Sequence, residues 1–359
     1  MEKKNLLYLF LLILLGILLR SLIADNVDNA IYEATFKPFP ISFSLENIIS
    51  NNFSPLGWLT SLPFIDLNLA YSRFFNFNLL NDIFGIFSII SIYFLGKNFG
   101  GKNSVLVGLL SSLLCATSAL LIYLGNGTNP LNASFFVATL ILLMDSYIVL
   151  VKETSKFKYL HILSLILFLI HPISIIFIAC NYLLLGANTK NKFSKIFTKK
   201  IVHIIMALPI CAIIVMTFGG KVNFMQFIAP YFSMFSAIKP NEILNLFSNQ
   251  KTIFDFIFYA LIPASISLFF VIKAGLLKRK ETNYLVEMVS FIYPIVYILT
   301  SNLSTCSKIN LLIEIYPIFI ILMALGFSTF KNKNLKFILL GVFLGVQVFL
   351  LIANIFGNF

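Results

Sequence analysis

Where an apolar stretch ends near residue 24, the chain reads Arg20-Ser21-Leu22-Ile23-Ala24-Asp25-Asn26-Val27-Asp28-Asn29-Ala30-Ile31-Tyr32-Glu33. Three carboxylates, Asp25, Asp28 and Glu33, follow directly on that stretch. A carboxylate at a boundary between water and an apolar phase loses part of its hydration. Its proton affinity rises, which makes it usable as a general base. Arg20, one or two helical turns earlier, is placed to pair with one of these acids or to extend its guanidinium to the polar boundary. The plainer alternative is that the acids only solvate the start of a loop.

The elements that must position these groups are apolar helices. Of 359 residues, 59% are hydrophobic and 11% are charged. A soluble domain of this size has too little interior to hide that much apolar surface, so the expected solvent is lipid. A membrane span needs about 20 mainly apolar residues. Such runs occur near 5–24, 79–96, 104–124, 131–151, 159–186, 201–218, 254–273, 284–301, 309–327 and 337–356. Leu22-Ile23-Ala24 lacks the small residue that signal cleavage requires at its first position, so 5–24 is read as a retained first span. Cys115, Cys180 and Cys211 sit inside apolar runs, and no CxxC pair occurs. That leaves packing, rather than a metal site or a disulfide framework, as the reading of the cysteines.

The net charge of +12 is distributed by topology. Most Lys and Arg residues fall in Lys3/Lys4, Lys97/Lys102, Lys152–Lys158, Lys190–Lys200, Lys273–Lys280 and Lys331–Lys336. Positive residues remain cytoplasmic, which puts those connections and the N-terminus inside. Residues 159–186 then have basic flanks on both sides. Two short helices turning near His171-Pro172 keep both flanks inside, and Pro172 disfavours helix at the residue before it. The expected architecture is an all-α polytopic membrane protein of about 11 transmembrane helices, with the C-terminus outside. The rival is about 10 spans, with 159–186 forming one long tilted helix. The whole chain, 1–359, forms one transmembrane domain. It has a first external loop at 25–78, with amphipathic interfacial helices around Ile41–Ile49 and Trp58–Phe64, and a second long external loop at 219–253. No internal repeat is visible.

Four stretches resemble GT-C glycosyltransferases, in the branch of protein O-mannosyltransferases and lipid A aminoarabinose transferases. The first is Leu18-Leu19-Arg20, followed by the acids and Tyr32. The second is Asn78–Ser88, continuing to Tyr93-Phe94-Leu95-Gly96-Lys97-Asn98-Phe99-Gly100. The third is His171, in the break after the fourth span. The fourth is Ile309–Gly326, with Tyr316-Pro317 and Ala324-Leu325-Gly326. The resemblance implies a sugar carried on a polyprenyl phosphate and an acidic base in the first external loop. That base is Asp28 first, then Asp25 and Glu33. Positive charge near the lipid-phosphate leaving group stabilises such a transition state. Among the external cations, Arg73, Lys308 and Lys239 are candidates for that role, with interfacial snorkelling as the plainer alternative. His171 is a further substrate-binding candidate, or a polar residue satisfied between helices.

The chain departs from the family pattern at named places. Asp28-Asn29 stands for a paired acid, Phe53-Ser54-Pro55 for His-Pro-Pro, Asn78 and Asn310 for arginines, and Asn126-Gly127-Thr128-Asn129-Pro130 for a charged turn.

The expected function is a membrane glycosyltransferase of the cell inner (plasma) membrane. It moves a sugar from a polyprenyl-phosphate donor to a lipid, glycan or protein acceptor at the outer face. Two alternatives stand beside it: a catalytically silent relative that binds a polyprenyl lipid or partner subunit, and a lipid or sugar transporter. No GxGxxG, Walker or His/Cys cluster is present, so no cofactor is expected. A weak divalent cation at the acids is compatible with the pattern but not called for by it. Nucleic acid is not an expected partner.

Overall fold

The apolar runs hold Leu, Phe and Ile on every side rather than along one stripe, the pattern of helices without a water-facing surface. A computed structural model describes residues 3–24, 79–118, 121–122, 131–152, 154–170, 174–189, 280–287, 305–330 and 332–355. Among the described residues the secondary structure is entirely helical, with no strand. The principal helices are α1 (Lys3–Ala24), α2 (Leu79–Phe99), α3 (Ser104–Ala116), α4 (Leu131–Ser146), α5 (Phe157–Ile170), α6 (Ile175–Thr189), α7 (Lys280–Glu287), α8 (Thr305–Thr329) and α9 (Lys333–Ile355). The expected loops 25–78 and 219–253 lie outside the described residues. Two described stretches, Lys4–Ser21 and Asn132–Val151, are long and apolar enough to cross a membrane.

Helices α2, α3, α4 and α8 pack into a bundle, and α1 lies against α2 and α3. A short 3-10 turn, Gly101–Asn103, reverses the chain between α2 and α3. Gly101 has φ 54°, a left-handed conformation that glycine adopts without a Cβ penalty. The two helices approach closely where Gly108 meets the backbone of Tyr93 and Ser112 donates a hydrogen bond to the Ile89 carbonyl, 3.0 Å. Small residues and serine hydroxyls are what permit such contact between apolar helices. Helix α4 runs parallel to α2: Phe136 packs on Phe84 at one end, and Ser146 accepts from Asn98 Nδ2, 2.8 Å, at the other.

Helix α4 continues as a widened turn, Tyr147–Val151, which stops at Lys152 with φ 60°. The stretch 159–186 is two helices. Tyr182 on α6 lies 2.9 Å from the Ser164 hydroxyl on α5 and donates to the Leu160 carbonyl, 3.4 Å. Residues 22 apart on one straight helix would be about 33 Å apart, so α5 and α6 run antiparallel. The hairpin packs on α4 through α5 and on α8 through α6.

The expected run 104–124, in contrast, is interrupted. Helix α3 ends at Ala116, and the Thr117 N–H closes it onto Leu113. The Ser118 hydroxyl then accepts from the Leu121 N–H, 3.4 Å, starting a new turn. Thr and Ser offer the backbone this alternative to a continuing helix.

Helix α9 is N-capped by Asn332, whose Oδ1 accepts from the backbone of Asn334 and Leu335. It touches the rest through Phe343 on Phe327, while Leu335, Phe337, Ile338 and Val342 are exposed. Helix α1 likewise turns Leu6, Leu7, Tyr8, Phe10 and Leu11 outward.

Candidate functional site

Arg20 is only 1% exposed despite its charge. Its Nη1 donates to the Gly16 carbonyl one turn earlier, 3.1 Å. The rest of the guanidinium lies across α2 at Gly85, where an added Cβ would stand 2.8 Å from Nε. Cys115, in the last turn of α3, is within electrostatic reach of both Arg20 and Tyr316.

Three irregular points meet on one turn of α8. The break in α3 places Ser118 against the Tyr316 hydroxyl, 3.0 Å. The first residue before α6, Ser174, donates to Glu314 Oε1. Pro317, inside α8, has no N–H for the Ile313 carbonyl. Phe135 of α4 packs on the Tyr316 ring. Glu314 is fully buried, and its Oε2 has no hydrogen-bond partner among the described residues. Interrupted helices inside apolar bundles carry polar backbone that must line something polar, and they recur at binding sites.

A second polar layer lies at the opposite end of the bundle. The Tyr284 hydroxyl of α7 donates to Asn181 Oδ1 of α6, 3.1 Å, and lies within hydrogen-bonding reach of Asp145 on α4. Asp145, Asn181 and Tyr284 are all buried.

Asp25, Asp28, Glu33, Arg73, Lys239 and His171 lie outside the described residues. Lys308 belongs to the first turn of α8, and its side chain is outside the description. The described residues instead bring Ser118 to Tyr316 and Ser174 to Glu314 on one turn of α8, and Arg20 to Gly85 of α2. Glu314 and Asp145 did not enter the sequence-based candidate site. The signal available for both was a lone acid within an apolar run, which is a functional candidate in lipid by default. Among the described residues no group of three His, Cys, Asp or Glu side chains is arranged for a metal ion.

Compared with models of known protein families, with curated proteins and with solved structures, the chain matches none.

Proposed function

We propose that this chain is a polytopic inner-membrane glycosyltransferase that moves a sugar from a polyprenyl-phosphate donor to an acceptor at the outer face. In this reading it has about 11 spans, with the N-terminus cytoplasmic. The observation that carries the proposal is the burial of Arg20 at the end of α1, immediately before Asp25 and Asp28. An Arg guanidinium is weakly hydrated and presents a fork of donors, which suits a carboxylate or a phosphodiester. The contacts Arg20 with Gly85, Ser118 with Tyr316 and Ser174 with Glu314 each join residues that the charge distribution assigns to the outer half of the membrane. That agreement supports the alternating direction of the helices.

In the reaction, an acceptor hydroxyl attacks the anomeric carbon, its proton passes to Asp28, and the sugar–phosphate bond breaks to release the lipid phosphate. Asp25 and Glu33 are the reserve bases. Arg73, Lys308 and Lys239 are candidates to stabilise the leaving phosphate, and His171 to contact the substrate. The test is Asp28→Asn in protein shown to insert normally, assayed for sugar transfer from polyprenyl-phosphate donors. Transfer should fall at least a hundredfold, the scale of a lost general base. Unchanged transfer removes Asp28 as the base. Binding of polyprenyl phosphate without transfer to any acceptor would favour the silent relative.

A transporter is the second reading, and the buried acids Glu314 and Asp145 at two depths are what favour it. Movement of a lipid-linked sugar across vesicles without covalent change would decide for it.

A further inference from the structure

Glu314 is a carboxyl buried with a single hydrogen-bond donor among the described residues. The side chain has no solvent exposure. Its Oε1 accepts the Ser174 hydroxyl, and its Oε2 has no hydrogen-bond partner among the described residues. One residue earlier, the Ile313 carbonyl receives no bond from position 317, because Pro317 carries no N–H. One acceptor without a donor among the described residues, Oε2, therefore lies on a proline-bearing turn of a buried helix.

The helices packed against α8 are α2, α3, α4 and α6. The described ionisable side chains of their interiors are Tyr93 and Lys97 on α2, Cys115 on α3, Asp145 on α4, and Cys180 and Tyr182 on α6. None of them forms a hydrogen bond or ion pair with Glu314. Tyr316, two residues along α8, is engaged with Ser118. An ionised carboxylate buried with a single neutral hydrogen bond is poorly compensated, and in such surroundings the group takes up a proton instead.

We propose that Glu314 is a proton-binding site inside the bundle: Oε2 carries the proton, Oε1 accepts Ser174, and the pair fastens the start of α6 to α8. The site needs no transfer chemistry, and it stands whichever reading of the function holds. It ties the α5–α6 hairpin to the turn of α8 that also holds Tyr316.

The experiment is infrared difference spectroscopy on the full chain in lipid nanodiscs at neutral pH. The wild type minus Glu314→Gln spectrum is expected to show the carbonyl stretch of a protonated carboxylic acid. Paired carboxylate stretches in its place would overturn the proposal. So would carboxylate bands that move when sodium is exchanged for choline, because the occupant would then be a metal cation. Ser174→Ala guards against failure of Glu314→Gln to fold. Loss of the hydrogen bond to Oε1 should leave the acid band present and move it to higher frequency, and a band that does not move would overturn the proposal as well.

Discussion

The guanidinium of Arg20 occupies the space into which a side chain at position 85 would project: a Cβ on Gly85 would lie 2.8 Å from Nε, 2.9 Å from Nη2 and 3.0 Å from Cζ. A buried cation and a glycine on the next helix are thus one structural unit. Gly85→Ala should destabilise the protein by about 1–3 kcal/mol, the usual scale of overpacking. Arg20→Ala removes the obstacle. The double variant should therefore be less destabilised than the sum of the single ones, with a coupling of about 0.5–3 kcal/mol. Reversible unfolding of the four proteins in mixed micelles measures this, and additivity would show that the contact is not energetically real.

Glycine has opposite consequences at two other positions. A Cβ at Gly108 would meet the backbone oxygen of Tyr93 at 2.8 Å, and a backbone atom cannot rotate away. At Gly345 nothing lies within 4 Å. Gly108→Ala should force α2 and α3 apart, with a loss of about 1–3 kcal/mol. Gly345→Ala should gain up to about 1 kcal/mol from helix propensity. The same unfolding measurement checks both signs, and equal effects would contradict the packing.

The sequence made some of this legible and hid the rest. Apolar runs identified the described helices among 5–24, 79–116, 131–151, 159–186, 309–327 and 337–355, while 201–218, 254–273 and 288–301 lie outside the described residues. Basic residues on both sides of 159–186 favoured a reversal over one long tilted helix, and Tyr182 against Ser164 shows that reversal in atomic terms. The end of α3 at Ala116 was hidden because Thr117 and Ser118 are small and sit between apolar neighbours, so the run 104–124 reads as continuous. The pairing of Glu314 with Ser174 was equally hidden, since 140 residues separate them and no local period links them. The acids at 25–33 that drew the sequence reading lie outside the described residues, where the buried polar contacts are those of Glu314 with Ser174 and Tyr316 with Ser118.

The hydroxyl pair Ser118–Tyr316, at 3.0 Å, bridges the break in α3 and the proline turn of α8. Tyr316→Phe keeps the ring on Phe135 and removes the hydroxyl. It should cost about 0.5–1.5 kcal/mol, the net worth of a typical hydrogen bond. Ser118→Ala should cost more, because Ser118 also accepts from the Leu121 N–H and starts the turn that follows. Hydrogen exchange at Leu121 separates the two effects. It should quicken in Ser118→Ala and stay unchanged in Tyr316→Phe.

The reversal between α5 and α6 permits a distance test that no local rearrangement can imitate. Tyr159 and Leu183 are both exposed, so spin labels there disturb little packing. On a single straight helix the two positions would be about 36 Å apart at 1.5 Å per residue. In an antiparallel pair they lie near the same end of neighbouring helices, whose axes are separated by about 8–10 Å. Pulsed electron resonance on a chain whose four cysteines are replaced, with labels at Tyr159→Cys and Leu183→Cys, should therefore give a short distance. A distribution centred on the long value would restore the single tilted helix.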